Sequence, residues 1–143
     1  PLHPPPPLPA GEFTSFAGTF GPDVGGHTQV VVTSSNTGSV RISNSAFWGP
    51  SNQIATVEGT GTVAFDSCIF NSWDAVGQDR SAIQVYGGNA QIRGCDFQFD
   101  HPQLLIAEAA AKVIFTDNLI KGPMQVTQLC NASYVQANNL PDA

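Results

Sequence analysis

Apolar and polar residues alternate along several short stretches of this chain, and one such stretch recurs. Residues 61–70, Gly-Thr-Val-Ala-Phe-Asp-Ser-Cys-Ile-Phe, place Val63 and Phe65 on one side and polar or small residues on the other. A period of two residues predicts a β-strand with one buried face. Similar stretches lie at 38–47, 89–97 and 111–120, with a degenerate copy at 133–140. The chain is therefore expected to form a stack of similar β-coils.

The spacing of the copies indicates a solenoid. The copies align on Ser45, Cys68, Cys95, Asn118 and Asn138, which are 23, 27, 23 and 20 residues apart. Coils of this length cannot bury their apolar face alone and are stable only when stacked. We predict an all-β fold, a right-handed, single-stranded parallel β-helix of about 4 to 5 coils, with equivalent residues about 4.8 Å apart. The same alignment places Val135, Asn138 and Leu140 on the inward rows of the last coil.

Composition divides the chain into two parts. Residues 1–20 form a proline-rich N-terminal segment, including Pro4 to Pro7, which favours an extended conformation without a core. Residues 21–143 are assigned to the β-helix domain. The longest repeat carries its extra residues at 71–80. Insertions in a solenoid emerge as loops on one face, often the binding face.

Charge and hydropathy exclude two classes of partner. The net charge is −6, and the five Lys and Arg residues are scattered singly, so we expect no nucleic acid partner. No apolar run approaches 18 residues, so we expect no membrane span. Cys68 and Cys95 fall on adjacent coils of one row, where a disulfide is geometrically conceivable, but two small buried thiols are the preferred interpretation.

The repeated coil, with Cys or Asn at its inward corner, resembles the right-handed β-helix of the pectate-lyase superfamily. Residues 47–55 and 93–97 are similar to the last coils of its rhamnogalacturonase and epimerase-type members. This resemblance covers roughly residues 21–140 and implies a secreted or periplasmic protein that acts on or binds a polysaccharide. The implied activity is that of a glycoside hydrolase or polysaccharide lyase, with this chain as its C-terminal part or as the whole. No catalytic motif carries over residue by residue.

The inserted loop holds the best candidate site. Exposed indoles stack on sugar rings, and Arg binds hydroxyls or a uronate, so we assign substrate binding to Trp48, Trp73 and Arg80. Glycoside hydrolysis uses two carboxylates about 5 to 9 Å apart, which makes Asp74 and Asp79 the candidate catalytic pair. The alternative is that both tryptophans only cover the side of the barrel.

Other ionisable residues give weaker signals. Asp66, Asp96 and Asp117 lie near the corners but not in one row, and are expected to be solvated. Asp100 and His101 precede a proline and are expected to be turn residues rather than an acid–base pair. We predict no metal site and no evident cofactor. Calcium is implied by the family resemblance only, since no dense cluster of oxygen ligands is visible.

A second function class remains open. The chain is alternatively a non-catalytic module that binds a glycan or docks onto another chain. The solenoid has no evident cap before His27, so we expect further coils there or a second chain that covers the open end.

Overall fold

The computed structural model describes residues 19–20 and 28–142, with the backbone alone for Thr19 and Phe20. Residues 1–18, 21–27 and 143 lie outside this description, and with them most of the proline-rich segment, His27 and the proposed domain boundary. Sixteen short strands and no helix occur in the described part. In this part there is accordingly no helix that could cross a membrane.

The strands form three parallel sheets. Sheet A contains β1 (Thr19–Phe20), β4 (Ala46–Trp48), β7 (Ile69–Asn71), β10 (Asp96–Phe97), β13 (Leu119–Ile120) and β16 (Leu140–Pro141). Sheet B contains β2 (Thr28–Val32), β5 (Gln53–Val57), β8 (Ile83–Val85), β11 (Leu104–Ile106) and β14 (Val126–Gln128). Sheet C contains β3 (Ser39–Ser43), β6 (Thr62–Asp66), β9 (Asn89–Arg93), β12 (Lys112–Thr116) and β15 (Ser133–Ala137).

Each coil contributes one strand to each sheet, in the order B, C, A. Every strand pairs in parallel with the equivalent strand of the next coil. The result is a solenoid of about five turns, which confirms the predicted parallel β-helix. Its strands are short because each coil must turn three corners within one repeat.

Inward residues form continuous rows through the stack. Val40, Val63, Ala90 and Val113 occupy one row, and Ile42, Phe65, Ile92 and Phe115 another. On sheet A, the Phe70 ring lies 5.4 Å from that of Phe47 and 4.8 Å from that of Phe97, measured between centroids. Burying one such ring stabilises the fold by about 1.5–3 kcal/mol, so this row is a major part of the core.

The corner between sheets C and A has a fixed backbone form. A residue with positive φ opens it in all five coils: Asn44, Ser67, Gly94, Asp117 and Asn138. Gly, Asn and Asp tolerate this left-handed conformation better than other residues. The next residue turns inward, and the resulting corner row consists of Ser45, Cys68, Cys95, Asn118 and Asn139.

Side-chain hydrogen bonds hold the corner row together. Asn118 is fully buried, accepts from the Cys95 N–H at 2.9 Å and donates to the side chain of Asn139 at 2.9 Å. Cys68 and Cys95 are both free, so the preferred prediction of two buried thiols is confirmed. The neighbouring Cys95 thiol lowers the pKa of Cys68, whereas burial raises the pKa of Cys95.

The last coil differs from the sequence alignment by one residue. Tyr134 pairs with Val113 and Gln136 with Phe115, so Val135 points outward beside Ile114. Pro141 pairs with Ile120, which leaves Leu140 outward beside Leu119. The predicted inward positions Val135, Asn138 and Leu140 are therefore wrong, because a shift of one residue exchanges the two faces of a strand.

Candidate functional site

Four connections from sheet A to sheet B fall within the described residues, and they lie along one edge of the solenoid. They span residues 49–52, 72–82, 98–103 and 121–125. The second is the longest and is the inserted loop that carries the predicted site. Its first residues pack against the preceding coil, where Ser51 donates to the Ser72 carbonyl and Asp74 donates to the Asn52 carbonyl. The loop is thus anchored to the coil that ends with Trp48.

Trp73 does not lie on the surface. Its side chain is 1% exposed and packs edge-on against Phe97 and Phe99, with centroid distances of 6.0 and 5.5 Å. The indole N–H donates to the Pro102 carbonyl at 2.8 Å. Trp73 therefore anchors the loop in the core and offers no face for a sugar.

Asp74 organises the loop. It is 6% exposed, and its Oδ1 and Oδ2 accept the backbone N–H groups of Gln78 and Asp79 at 2.9 and 3.1 Å. His101 Nε2 of the next coil lies 3.6 Å from the same Oδ2. A carboxylate that accepts backbone donors four and five residues ahead closes a turn, as Asp commonly does in loops. His101 itself stacks on Phe99 at a centroid distance of 4.1 Å.

Asp79 and Arg80 lie at the outer end of the loop. Asp79 is exposed with φ of +57°, and its N–H rather than its carboxylate is used in the turn. Arg80 donates twice to Gln78 Oε1, at 3.1 and 2.9 Å, and once to Gln53 Oε1 at 3.2 Å. These acceptors are neutral amides. Among residues 28–142, no carboxylate forms an ion pair with Arg80, so its charge is held in place without a counter-ion.

Trp48 is the predicted aromatic residue that does reach the surface. It ends β4 and is 46% exposed. Gln29 donates to the Trp48 carbonyl at 3.0 Å and to the Ser51 hydroxyl at 3.2 Å. The neighbouring Thr28 hydroxyl accepts from Gln53, which is the residue that holds Arg80. These contacts, which are joined through the adjacent residues Thr28 and Gln29, therefore connect the surroundings of Trp48 to those of Arg80.

Sheet A places a row of outward side chains beside the inserted loop. The members occupy equivalent positions in successive coils, as the pairing of Trp48 with Asn71 and the hydrogen bonds of the following coils show. This row, called the edge row below, consists of Trp48, Asn71, Gln98, Lys121 and Asp142. It offers an indole, two amides, an ammonium group and a carboxylate, one coil apart.

Hydrogen bonds fix the middle of the edge row. Asn71 Nδ2 donates to Gln98 Oε1 at 3.4 Å, and Gln98 Nε2 donates to Asp96 Oδ2 at 2.9 Å. The Ser72 hydroxyl donates to Asn71 Oδ1 at 2.9 Å. The first four members were within reach of the sequence analysis, since each follows one of the aligned inward residues Phe47, Phe70, Phe97 and Ile120.

The remaining candidates are dispersed. Asp66 is outward on sheet C beside Arg93, Asp96 is outward on sheet A, and Asp117 is exposed at a corner. Within the described ranges, no group of three or more His, Cys, Asp or Glu side chains could hold a metal ion. The hydrogen bonds of the Asp74 and Asp96 carboxylates go to backbone N–H groups and to the Gln98 amide, respectively.

Comparison with known proteins finds no match to a family model, to a curated protein or to a solved structure.

Proposed function

We propose that this chain binds a polysaccharide along the edge row, with Trp48 stacking on a sugar ring. The observation that carries the proposal is the row itself, in which an exposed indole is followed by amide and charged side chains at one-coil intervals. Aromatic rings offer a large, rigid surface to an apolar face, and amide and charged groups supply donors and acceptors for hydroxyls. A linear glycan presents hydroxyl groups at regular intervals along its length, and the edge row presents polar side chains at intervals of one coil.

Arg80 extends this surface beyond the edge row. Its guanidinium is oriented by Gln78 and Gln53, and no carboxylate in residues 28–142 neutralises it. A guanidinium binds a carboxylate with two parallel hydrogen bonds. The site therefore favours glycans that carry acidic groups, although the chain as a whole is acidic. The resemblance to the pectate-lyase superfamily agrees with a polysaccharide ligand.

Binding without cleavage is the form of the proposal that the geometry supports best. Of the two candidate catalytic carboxylates, Asp74 is buried and accepts two backbone N–H groups. Such a group closes a turn, and it has little freedom to take part in proton transfer or nucleophilic attack. Asp79 alone is free to meet a substrate, and glycoside hydrolysis by the usual mechanism needs two such groups.

The test is retardation in affinity gels that contain neutral or acidic polysaccharides, followed by calorimetry with the best ligand. Trp48→Ala should weaken binding about tenfold, which corresponds to roughly 1.4 kcal/mol. Arg80→Ala should weaken binding to acidic glycans only, and Arg41→Ala, an exposed arginine on sheet C, serves as the matched control.

The same samples are assayed for reducing ends and for unsaturated products. We expect neither to form. Release of products that stops in the Asp79→Asn variant would replace binding by catalysis as the function. Binding that is equally strong in wild type and Trp48→Ala would remove the edge row from the site.

A further inference from the structure

A cleft lies on a different edge of the solenoid from the edge row. It is formed where the connections from sheet B to sheet C stack, and its volume is about 480 Å³. Residues of three successive coils line it, among them Tyr86, Asn89, Glu108 and Lys112. It is an open depression rather than an enclosed pocket, so only part of a ligand would be buried in it. The cleft shares no residue with the edge row on sheet A, so it is a separate place on the molecule.

Glycines form the floor of this cleft, called the Tyr86 cleft below. A Cβ atom added to Gly87 would lie 2.7 Å from the Gly59 carbonyl oxygen, and one added to Gly88 would lie 2.6 Å from the Gly61 oxygen. Neighbouring coils approach too closely here for any side chain. The backbones of the neighbouring coils are therefore in direct contact beneath the cleft, and Gly87 is buried.

The aromatic wall is fixed in place. Tyr86 is 41% exposed, and its hydroxyl donates to Gln84 Oε1 at 2.5 Å. Gln84 is itself only 5% exposed on the outward side of β8, between Thr56 and Leu105. A buried amide thus holds the tyrosine ring by its far end. Because the Tyr86 ring is already held in place, binding a ligand against it costs little additional side-chain entropy.

Two opposite charges face the cleft without pairing. Glu108 Oε1 accepts the Ala110 N–H at 3.1 Å, and its second oxygen makes no hydrogen bond within residues 28–142. Lys112 is exposed and forms no ion pair with any described residue. The Asn89 side chain makes a single long hydrogen bond of 3.4 Å, to the Thr62 hydroxyl, among the described residues. Donors and acceptors are therefore available around the ring, and their charges offset each other.

We infer that the Tyr86 cleft is a second carbohydrate site, which takes one neutral hexose unit. The tyrosine ring would cover the apolar face of the sugar, the Glu108 carboxylate would accept from two neighbouring hydroxyls, and Lys112 would donate to a third. Hydrogen bonds to charged groups contribute more than neutral ones. The balance of one carboxylate and one ammonium favours a neutral ligand over an acidic one. The inference stands independently of the edge row.

Two sites on one rigid solenoid have a functional consequence. A polysaccharide that reaches both would bind with an avidity well above either single affinity, by a factor set by the effective concentration of the second segment. If the two sites hold different chains, the protein cross-links them. Either outcome would distinguish this protein from one that has a single glycan-binding site.

The experiment is titration of the isotope-labelled chain with methyl hexosides, followed by two-dimensional NMR of the backbone amides. We expect millimolar binding, with shifts at residues 59–60, 86–89 and 108–112 that are distinct from any shifts around Trp48. Tyr86→Ala should weaken it at least tenfold, and Glu108→Gln should weaken it while the spectrum elsewhere stays native. Trp48→Ala, which removes the aromatic residue of the edge row, should leave the shifts at the Tyr86 cleft unchanged.

The outcomes separate the two sites. Shifts around Trp48 with none at the Tyr86 cleft would overturn this inference and leave the proposed function standing. A free amino acid that binds the cleft better than every hexoside would overturn it as well. Loss of the shifts at the Tyr86 cleft in Trp48→Ala would show that the two places form one site, against their separation.

Discussion

The two tryptophans of the chain have opposite surroundings. Trp48 follows the inward residue Phe47 on a strand, so the alternation of the strand directs it outward. Trp73 lies beyond the end of β7, where no alternation applies, and its indole fills space between Phe97 and Phe99. The sequence predicted both as sugar contacts. Only the strand residue has the exposure that such a contact requires.

Substitution of the two tryptophans should therefore affect different properties. Trp73→Ala should lower the free energy of unfolding by about 3–5 kcal/mol, as for other buried large-to-small changes. Trp48→Ala should change it by less than about 0.5 kcal/mol, since the site is exposed. Urea denaturation followed by circular dichroism measures both. Equal losses in the two variants would contradict the core position of Trp73.

Asp74 shows how far residue-level prediction reached. An Asp three residues before Gly77 is a common beginning of a turn, and here its carboxylate accepts the N–H groups of Gln78 and Asp79. The catalytic assignment of Asp74 and Asp79 remains a prediction without support from their geometry. Local turn chemistry was visible in the sequence, and it was the simpler explanation of this carboxylate.

At the scale of one element, the corner between sheets C and A repeats most regularly. Its first residue has positive φ in every described coil, and only the third coil uses glycine there, Gly94. The other coils use Asn, Ser or Asp and so carry some backbone strain, since the left-handed conformation costs an L-residue about 1–2 kcal/mol.

This strain can be tested at Ser67, which has φ of +56° and an exposed side chain. Ser67→Gly should stabilise the fold by about 0.5–1 kcal/mol, because the relief of strain exceeds the extra entropy that glycine loses on folding. Ser67→Val should destabilise it by more than about 1 kcal/mol. Thermal denaturation of the three proteins provides the measurement. A valine variant as stable as the glycine variant would argue against a left-handed corner.

The corner also explains which part of the fold the sequence could specify. Alternation and the repeat predicted the sheets and the inward rows of the first four coils. In the last coil the alignment paired Asn138 with Asn118, although Asn139 is the residue that bonds to it. Two adjacent asparagines suit both the left-handed position and the inward position, and the large ring of Tyr134 can fill an inward position as Val135 can. The choice depended on stacking contacts with the preceding coil.

At the scale of the whole molecule, each coil contacts only its neighbours. Within sheet B, burial is highest at β8, which is wholly buried, and lowest at β14, where two of the three residues are exposed. In such an array, stability is a sum of coil and interface contributions, and opening begins where the interfaces are weakest. The last coil has a described neighbour on one side only.

Amide hydrogen exchange should therefore follow position in the stack. We expect β14 and β15 to exchange fastest, and β8 and β9 to exchange slowest, near the rate set by global unfolding. Mass spectrometry of peptides from each coil gives the rates. Uniform protection from coil two to coil five would show that the solenoid unfolds as a single unit.

The inserted loop leaves the register of the coils undisturbed. Asp66 still pairs with Arg93, and Ile69 with Asp96, on either side of the longest repeat. The length of the connections at this edge can thus change without changing the pairing register of the strands. Selection can lengthen or shorten the exposed part of these connections without changing the pairing of the strands, so new ligand specificities are open to the molecule through insertion and deletion as well as through point substitution.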